Sequence, residues 1–316
     1  VTNLVGERLW RRPPIIDMLN PLVTAASEAP APHQRATKPF LKWVGGKTRI
    51  LPKILPYTPE SFANYHEPFL GGGAMFFALQ DRIQGEAHLT DLNEDLINAW
   101  IAVRSYQDEL RPCLDWYKER DSKEFYYEVR ATVPDGLVAQ AARFIYLNQT
   151  SWNGLWRTNS KTGAMNVPWG DRPFRSLSSE NLLGLERSLS VAELHFEDFR
   201  EACARAKPGD FVYLDPPYLP VWSNSDEKEP TSKFNKYTSK VFELVDLQDL
   251  ASICADFSSR GVHWVMSNRD NEGVRSLFPD AEIVGFTTHR SVAAQSKRAV
   301  EASRSPEAII IGRQFS

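Results

Sequence analysis

Residues 62 to 79 carry an apolar run, three consecutive glycines and a second apolar run, an order that leaves few folds open. Phe62 to Phe69 reads as a buried strand, Gly71-Gly72-Gly73 can turn tightly, and Ala74 to Leu79 suits a helix that opens directly after the glycines. Strand, glycine turn and helix in that order form the opening unit of an α/β fold. A second short strand is expected at His88 to Thr90, ending at Asp91, before a helix from Glu94 marked by Leu96, Ile97, Trp100, Ile101 and Val103. From 100 to 189 helical patterns dominate, among them Phe125 to Val133 and Leu137 to Leu147. Strand signals return at Ala192 to Phe196, Phe211 to Leu214, Val262 to Met266 and Ala308 to Ile311. Short continuous apolar runs suit a largely parallel sheet covered by helices. The expected organisation is a discontinuous α/β domain (38–99 and 190–316) around a helical insertion (100–189), behind a Pro- and Ala-rich flexible extension at 1–37.

The glycine loop, EPFLGGGAMFF at 67–77, lets a ligand approach the main chain. Asp91 follows Gly71 by 20 residues, a spacing at which a strand-end carboxylate can meet ribose hydroxyls. This suits any adenosine-containing cofactor. A dinucleotide is disfavoured because Phe76 stands where the third glycine of GxGxxG belongs. VGGKT at 44–48 resembles the end of a nucleotide-binding P-loop, yet Leu41 occupies the place of that motif's first glycine.

The segment GDFVYLDPPY, 209–218, ends an apolar strand at Asp215, followed by Pro216, Pro217 and Tyr218. The prolines fix φ and remove two N–H donors, leaving a stiff turn whose oxygens can accept at the carboxyl end of the strand, where open α/β sheets place ligands. An amino group on an aromatic ring is a poor nucleophile because its lone pair is drained into the ring. If the Asp215 carboxylate and the Pro216 carbonyl each accept one of its N–H bonds, the nitrogen pyramidalises and its lone pair turns toward a sulfonium methyl, with positioning and electrostatics doing most of the catalysis. Tyr218 would stack on a base removed from its duplex. The chemistry requires no metal. Taken singly, a glycine triplet or an Asp-Pro-Pro-Tyr turn can be merely structural; together with Asp91 they favour a site.

The remaining composition sets limits. Hydrophobic residues make up 42% and charged residues 24%, as in ordinary globular proteins, and no apolar run reaches membrane-spanning length. Arg11-Arg12 is followed by Pro13-Pro14 with no apolar core of an export signal, so a cytoplasmic location is expected. Cys113, Cys203 and Cys254 form no CxxC pair, which argues against both a disulfide framework and a zinc site, and no bound metal is expected. Net charge is −3, but Arg143, Arg157, Lys161, Arg172 and Arg175 stand against Asp171 alone, and Arg290, Lys297, Arg298 and Arg304 against Glu301. Such runs are either phosphate-binding patches or solvated faces.

These elements resemble, over 38–316, the Dam-type DNA N6-adenine methyltransferases of α motif order. FLKWVGGK (40–47) is similar to that family's opening cofactor motif, EPFLGGGAMFF to its glycine loop, LTDLNEDL (89–96) to its ribose segment and YLDPPY (213–218) to its catalytic motif. RFIYLNQTSWNGLWRTN (143–159) with MNVPWG (165–170) resembles its DNA-reading hairpin. The resemblance implies a Rossmann-like class I methyltransferase domain with a helical target-recognition insertion, S-adenosylmethionine as cofactor and double-stranded DNA as partner, in a monomer. It implies cofactor contacts from Trp43, Lys47, Phe69, Gly71, Gly73, Asp91, Asp198, Phe199 and Asp215. Lys42, Leu155, Arg157 and Pro168 would read bases, Trp152 would wedge into the duplex, and Asn148, Asn153, Asn159 and Arg290 would be further DNA contacts. Core packing is the alternative for Trp152 and Trp156.

The pattern has departures. Gln149 stands where a basic residue is common, and 219–232 forms a long acidic stretch expected to be a mobile loop that orders on DNA. Several base-reading positions match the family type that reads GATC, so the resemblance implies that target. Rival readings are transfer to cytosine N4 or RNA adenine, and a non-catalytic DNA-binding regulator.

Overall fold

The computed structural model describes residues 39–43, 45–159, 162–219, 242–289 and 304–312. The expectations for 1–37, for 220–232 and for Arg290 lie outside them. Among the described residues one seven-stranded sheet has the order β3-β2-β1-β4-β5-β7-β6. Its strands are β1 (Tyr65–Glu67), β2 (Ala87–Asp91), β3 (Ala192–Phe196), β4 (Phe211–Leu214), β5 (His263–Arg269), β6 (Glu282–His289) and β7 (Arg304–Ile311). The first five pair in parallel, while β7 runs antiparallel to both β5 and β6. This is the mostly parallel α/β fold expected.

Sequence patterns place these elements. All four residues of β4 are buried, as a central parallel strand covered on both faces requires. β1 is shorter than the expected 62–69, because Phe62 forms only an isolated bridge to Ile83 before the strand proper. β6 gave no clear apolar run: Gly285, Thr287 and Thr288 interrupt it, and it lies at the sheet edge. At Gly285 a Cβ would crowd the Asp270 carboxylate that pairs with Arg275.

The helices are α1 (Leu51–Ile54), α2 (Ala74–Leu79), α3 (Glu94–Ser105), α4 (Gln107–Arg120), α5 (Lys123–Ala131), α6 (Leu137–Thr150), α7 (Ser179–Ser188), α8 (Phe199–Ala204), α9 (Leu244–Arg260) and α10 (Glu272–Leu277). The Asn93 side chain caps α3 by accepting from Leu96 N, with Glu94 and Asp95 in the first turn against the helix dipole. The domain boundary expected at 99/100 falls inside α3, which packs on both β2 and α6 and so serves sheet and insertion alike. Aromatic rings hold the insertion: Tyr117 stacks on Tyr146 at 4.9 Å, and Phe174 meets Tyr146 edge-on at 5.1 Å. Asp121 ties the same cluster, accepting from Tyr146 Oη and Phe174 N. Arg143, counted above as surface charge, is instead interior and donates to Val129 O and Arg130 O. One charge therefore leaves the expected basic patch.

Candidate active site

The carboxyl ends of β1, β2, β3 and β4 converge at the point where strand order reverses between β1 and β4, the crevice in which open α/β sheets bind ligands. After β1 the chain turns through Gly71 and Gly73 with left-handed φ of 49° and 65°, and Gly73 opens α2. Both glycines are also required sterically: a Cβ would fall 2.5 Å from the Trp43 ring at Gly71 and 2.6 Å from the Trp100 ring at Gly73. Asp91, at the end of β2, explains the 20-residue spacing, since its Oδ2 accepts from Gly71 N at 3.0 Å while Oδ1 accepts from Asn93 N. The carboxylate thus fastens the glycine turn to β2 and faces the crevice. Burial pushes its pKa up to about 6, against those backbone N–H bonds, which lower it.

Past the end of β3, Asp198 caps α8 and shares Arg200 with Asp246 and Asp249. Phe199 is buried and stacks on Phe69 at 5.4 Å, with the Arg200 guanidinium over its ring. Two of the expected cofactor residues are therefore in mutual contact.

At the end of β4 lies Asp215, half-buried, followed by buried Pro216 and half-buried Pro217 and Tyr218. Lys47 reaches it from the 3₁₀ turn Lys47–Arg49: Nζ lies 2.6 Å from Asp215 Oδ2, donates to Gly45 O and sits 5.2 Å above the Tyr218 ring. Burial pushes the Asp215 carboxyl above the usual carboxylate range, and Lys47 opposes that shift both by charge and by hydrogen bonding. The VGGK segment that failed as a P-loop thus delivers a cation to the DPPY carboxylate. Sequence reasoning gave Glu67 no role. It is buried at the end of β1, where Oε2 accepts from Tyr65 Oη and Phe76 N, and burial pushes its pKa up to about 8. The acid closing the first strand of EPF was the available signal.

The expected DNA-reading residues lie on a hairpin-like excursion after α6. Antiparallel bridges Ser151↔Trp169 and Thr158↔Met165 frame it, with hydrogen bonds from Trp152 N to Pro168 O and from Asn166 N to Arg157 O. Alternation follows: Trp156, Met165 and Val167 are buried, whereas Arg157, Asn159 and Pro168 are exposed and Leu155 is half-buried. Tyr126 Oη and Arg130 both donate to Val167 O, anchoring the hairpin to α5. Trp156 is 3% exposed against Phe144, the core role considered for it, whereas Trp152 is 48% exposed. Asn153, half-buried, holds the turn with a left-handed φ of 56°.

One expected contact is corrected. Asn148 is 0% exposed, so it offers nothing to DNA. Its Oδ1 accepts from Lys42 N, and its Nδ2 donates to Lys42 O at 2.7 Å and Gly154 O at 3.3 Å. Asn148 is instead the clamp that fixes Lys42 beside the hairpin. There Arg172 and Arg175, after burial, depress the Lys42 pKa by charge, the sign of a locally positive surface.

Comparison with known proteins identifies the family. Residues 43–292 match the family model for D12 class N6 adenine-specific DNA methyltransferases. The chain belongs to that family. It is 33% identical to the Type II methyltransferase M1.LlaDCHI of Lactococcus lactis subsp. cremoris, over 84% of this chain and 92% of the relative. It is 34% identical to the Type II methyltransferase M.MjaIII of Methanocaldococcus jannaschii, over 74% and 85%. It is 29% identical to a DNA adenine methylase of Vibrio cholerae, over 80% and 89%. This is therefore an adenine-specific DNA methyltransferase, which answers the cytosine, RNA and non-catalytic readings, and it acts with a methyl donor on DNA. No helix among the described residues is long and apolar enough to cross a membrane.

Proposed function

We propose that this methyltransferase takes its methyl group from S-adenosylmethionine and delivers it to a flipped adenine in duplex GATC, using the DPPY corner as a pair of acceptors. The donor set of the crevice fits such a ligand. Phe69 and Phe199 offer rings for a purine, Asp91 and Asp198 offer carboxylates to hydroxyl and amino groups, and the Gly71–Gly73 turn leaves the main chain approachable. Trp43 stands against that turn. When bound, this donor supplies an electrophilic methyl on a positively charged sulfur.

The observation that carries the reading is the Lys47–Asp215 pair. Lys47 engages one carboxylate oxygen, Oδ2, and favours the ionised form, leaving Oδ1 to accept one N–H of the adenine amino group. The Pro216 carbonyl accepts the other, and Tyr218 stacks on the base. Nitrogen then presents its lone pair while the protein supplies fixed acceptors that need little reorganisation. Flipping the base costs a few kcal/mol, which stacking and the two hydrogen bonds offset.

Target choice belongs to the hairpin. Lys42 and Arg157 suit guanine O6 and N7, Leu155 and Pro168 suit a thymine methyl, and exposed Trp152 fills the space of the extruded base. Asn153 and Asn159 flank this row. The catalytic unit is 38–99 with 190–316, and 100–189 supplies recognition.

Radiolabelled methyl transfer from S-adenosylmethionine to matched duplexes tests this reading. Incorporation is expected at the adenine of GATC and to collapse when the guanine or thymine is replaced. Equal labelling of the altered duplexes would remove the GATC assignment, and no labelling of any duplex would remove the donor.

A further inference from the structure

On the sheet face opposite Asp91 and Glu67, the parallel register sets His66, His88 and Glu193 side by side on β1, β2 and β3, with His195 two residues further along β3. None of these residues takes part in the chemistry above. His66 is locked by Asp210, with Nε2 2.9 Å from Oδ2, and its ring lies flat on His88 at 4.8 Å, fixing the place of the His88 imidazole. His88 and His195 then converge on one carboxylate oxygen: Glu193 Oε2 lies 3.4 Å from His88 Nδ1 and 3.5 Å from His195 Nε2. Neither ring nitrogen has a hydrogen-bond partner. The three donor atoms lie within 4.8 Å of one another, the only such cluster among the described residues.

Those separations have a chemical meaning. Two ligands bonded at about 2.0–2.1 Å to a tetrahedral ion stand about 3.3 Å apart. The two Glu193 distances therefore match the edges of a coordination tetrahedron, while the groups miss the geometry of hydrogen bonds. His88 Nε2 lies 3.9 Å from Glu86 Oε2, beyond hydrogen-bond distance, so an acidic side chain stands near the other ring nitrogen without bonding it. The His88 and His195 rings are inclined by 30°, and histidine χ2 is a soft torsion, so a small rotation can aim both lone pairs at one point. Arg205 and Arg104 act on His195 by charge, but each is engaged elsewhere, Arg205 with Glu197 and Arg104 with Ala192 O. The site is reachable, with side-chain exposures of 15% for His88, 26% for His195 and 52% for Glu193.

We propose that His88 Nδ1, Glu193 Oε2 and His195 Nε2 form a binding site for a divalent transition metal, zinc above all, with water in the fourth position. Two imidazoles and a carboxylate suit zinc and do not suit magnesium or calcium, which demand more oxygen ligands. The expectation of no zinc site rested on the missing CxxC pairs, which bear on cysteine ligands alone. The metal would clip edge strand β3 to β2, its one sheet partner among the described residues.

Zinc titration of the full, chelator-stripped chain by isothermal calorimetry, with X-ray absorption on the loaded protein, tests the site. One zinc per chain is expected, with nitrogen and oxygen ligands including two imidazoles. His195→Asn and Glu193→Gln should each weaken binding by more than about tenfold, beyond the lower range for loss of an outer-shell partner. His263→Asn, at an exposed histidine on β5, should leave it unchanged. Magnesium should give no stoichiometric heat. The proposal is overturned by absence of stoichiometric zinc binding, by affinity indifferent to both variants, or by sulfur in the coordination shell, which would point to Cys113, Cys203 or Cys254. Should one variant fail to fold, the other and the wild-type absorption spectrum decide.

Discussion

The crevice and the hairpin hold their functional side chains in opposite ways. In the crevice each acidic side chain has a fixed partner: Asp215 pairs with Lys47, Asp198 with Arg200, and Asp91 accepts from Gly71 N. On the hairpin the proposed readers Arg157, Trp152 and Pro168 are exposed beside a buried row of Trp156, Met165 and Val167, with Arg157 Nε donating to Asn166 Oδ1. A rigid electrostatic frame suits chemistry that gains from preorganisation, whereas exposed side chains on a fixed ribbon suit a surface completed by its partner. Damage to the crevice should therefore appear in the chemical step, and damage to the hairpin in discrimination between sequences.

The largest separation of the two is expected from Asp215→Ala. Single-turnover methyl transfer should fall by at least about 10²-fold, the scale of losing one preorganised polar group, while DNA affinity in a filter or anisotropy assay stays within a few-fold; a matching loss of both would merge the regions. Asn148→Ala should come next in size. It leaves the Lys42 main chain and Gly154 O without their buried partner, so urea unfolding should show a loss of about 1–3 kcal/mol. Arg157→Ala should cost roughly 1–3 kcal/mol of discrimination at a single base with little change in folding; uniform weakening across all sequences would make it a phosphate contact. The last effect is read from pH dependence and concerns Glu67. Its folded pKa, pushed up to about 8, lies above the ordinary value of 4.5, so the native state holds a proton that the unfolded chain releases. Its contribution to stability is complete below pH 4.5 and is lost as pH rises through 8. Thermal melts of Glu67→Gln should decline less over that window than those of the wild type, and parallel curves would show that Glu67 is ionised in the fold.

Both regions were partly legible in the sequence, for different reasons. The crevice could be read because backbone constraints leave local traces: glycines where φ is left-handed, prolines after a buried strand, an acid one βα unit further on. The hairpin could be read by resemblance, but the depth of its side chains could not. Trp152 and Trp156 look alike in sequence, and only packing against Phe144 separates them. Arg143 and Asn148, both polar and both on α6, read as surface residues because burial of a polar group depends on partners far along the chain, such as the Lys42 main chain for Asn148. Edge strand β6 escaped notice because a half-covered strand with a glycine and two threonines lacks the apolar run that marked the central strands.

The Lys47–Asp215 pair carries the account, and the pH dependence of single-turnover methyl transfer at saturating donor and DNA tests it most directly. Lys47 counters the effect of burial on the Asp215 carboxyl, so removing its charge should raise that pKa further. In Lys47→Gln the acid limb of the rate profile should move to higher pH than in the wild type. An acid limb that stays in place would contradict the claim that Asp215 works as an ionised acceptor held ready by Lys47.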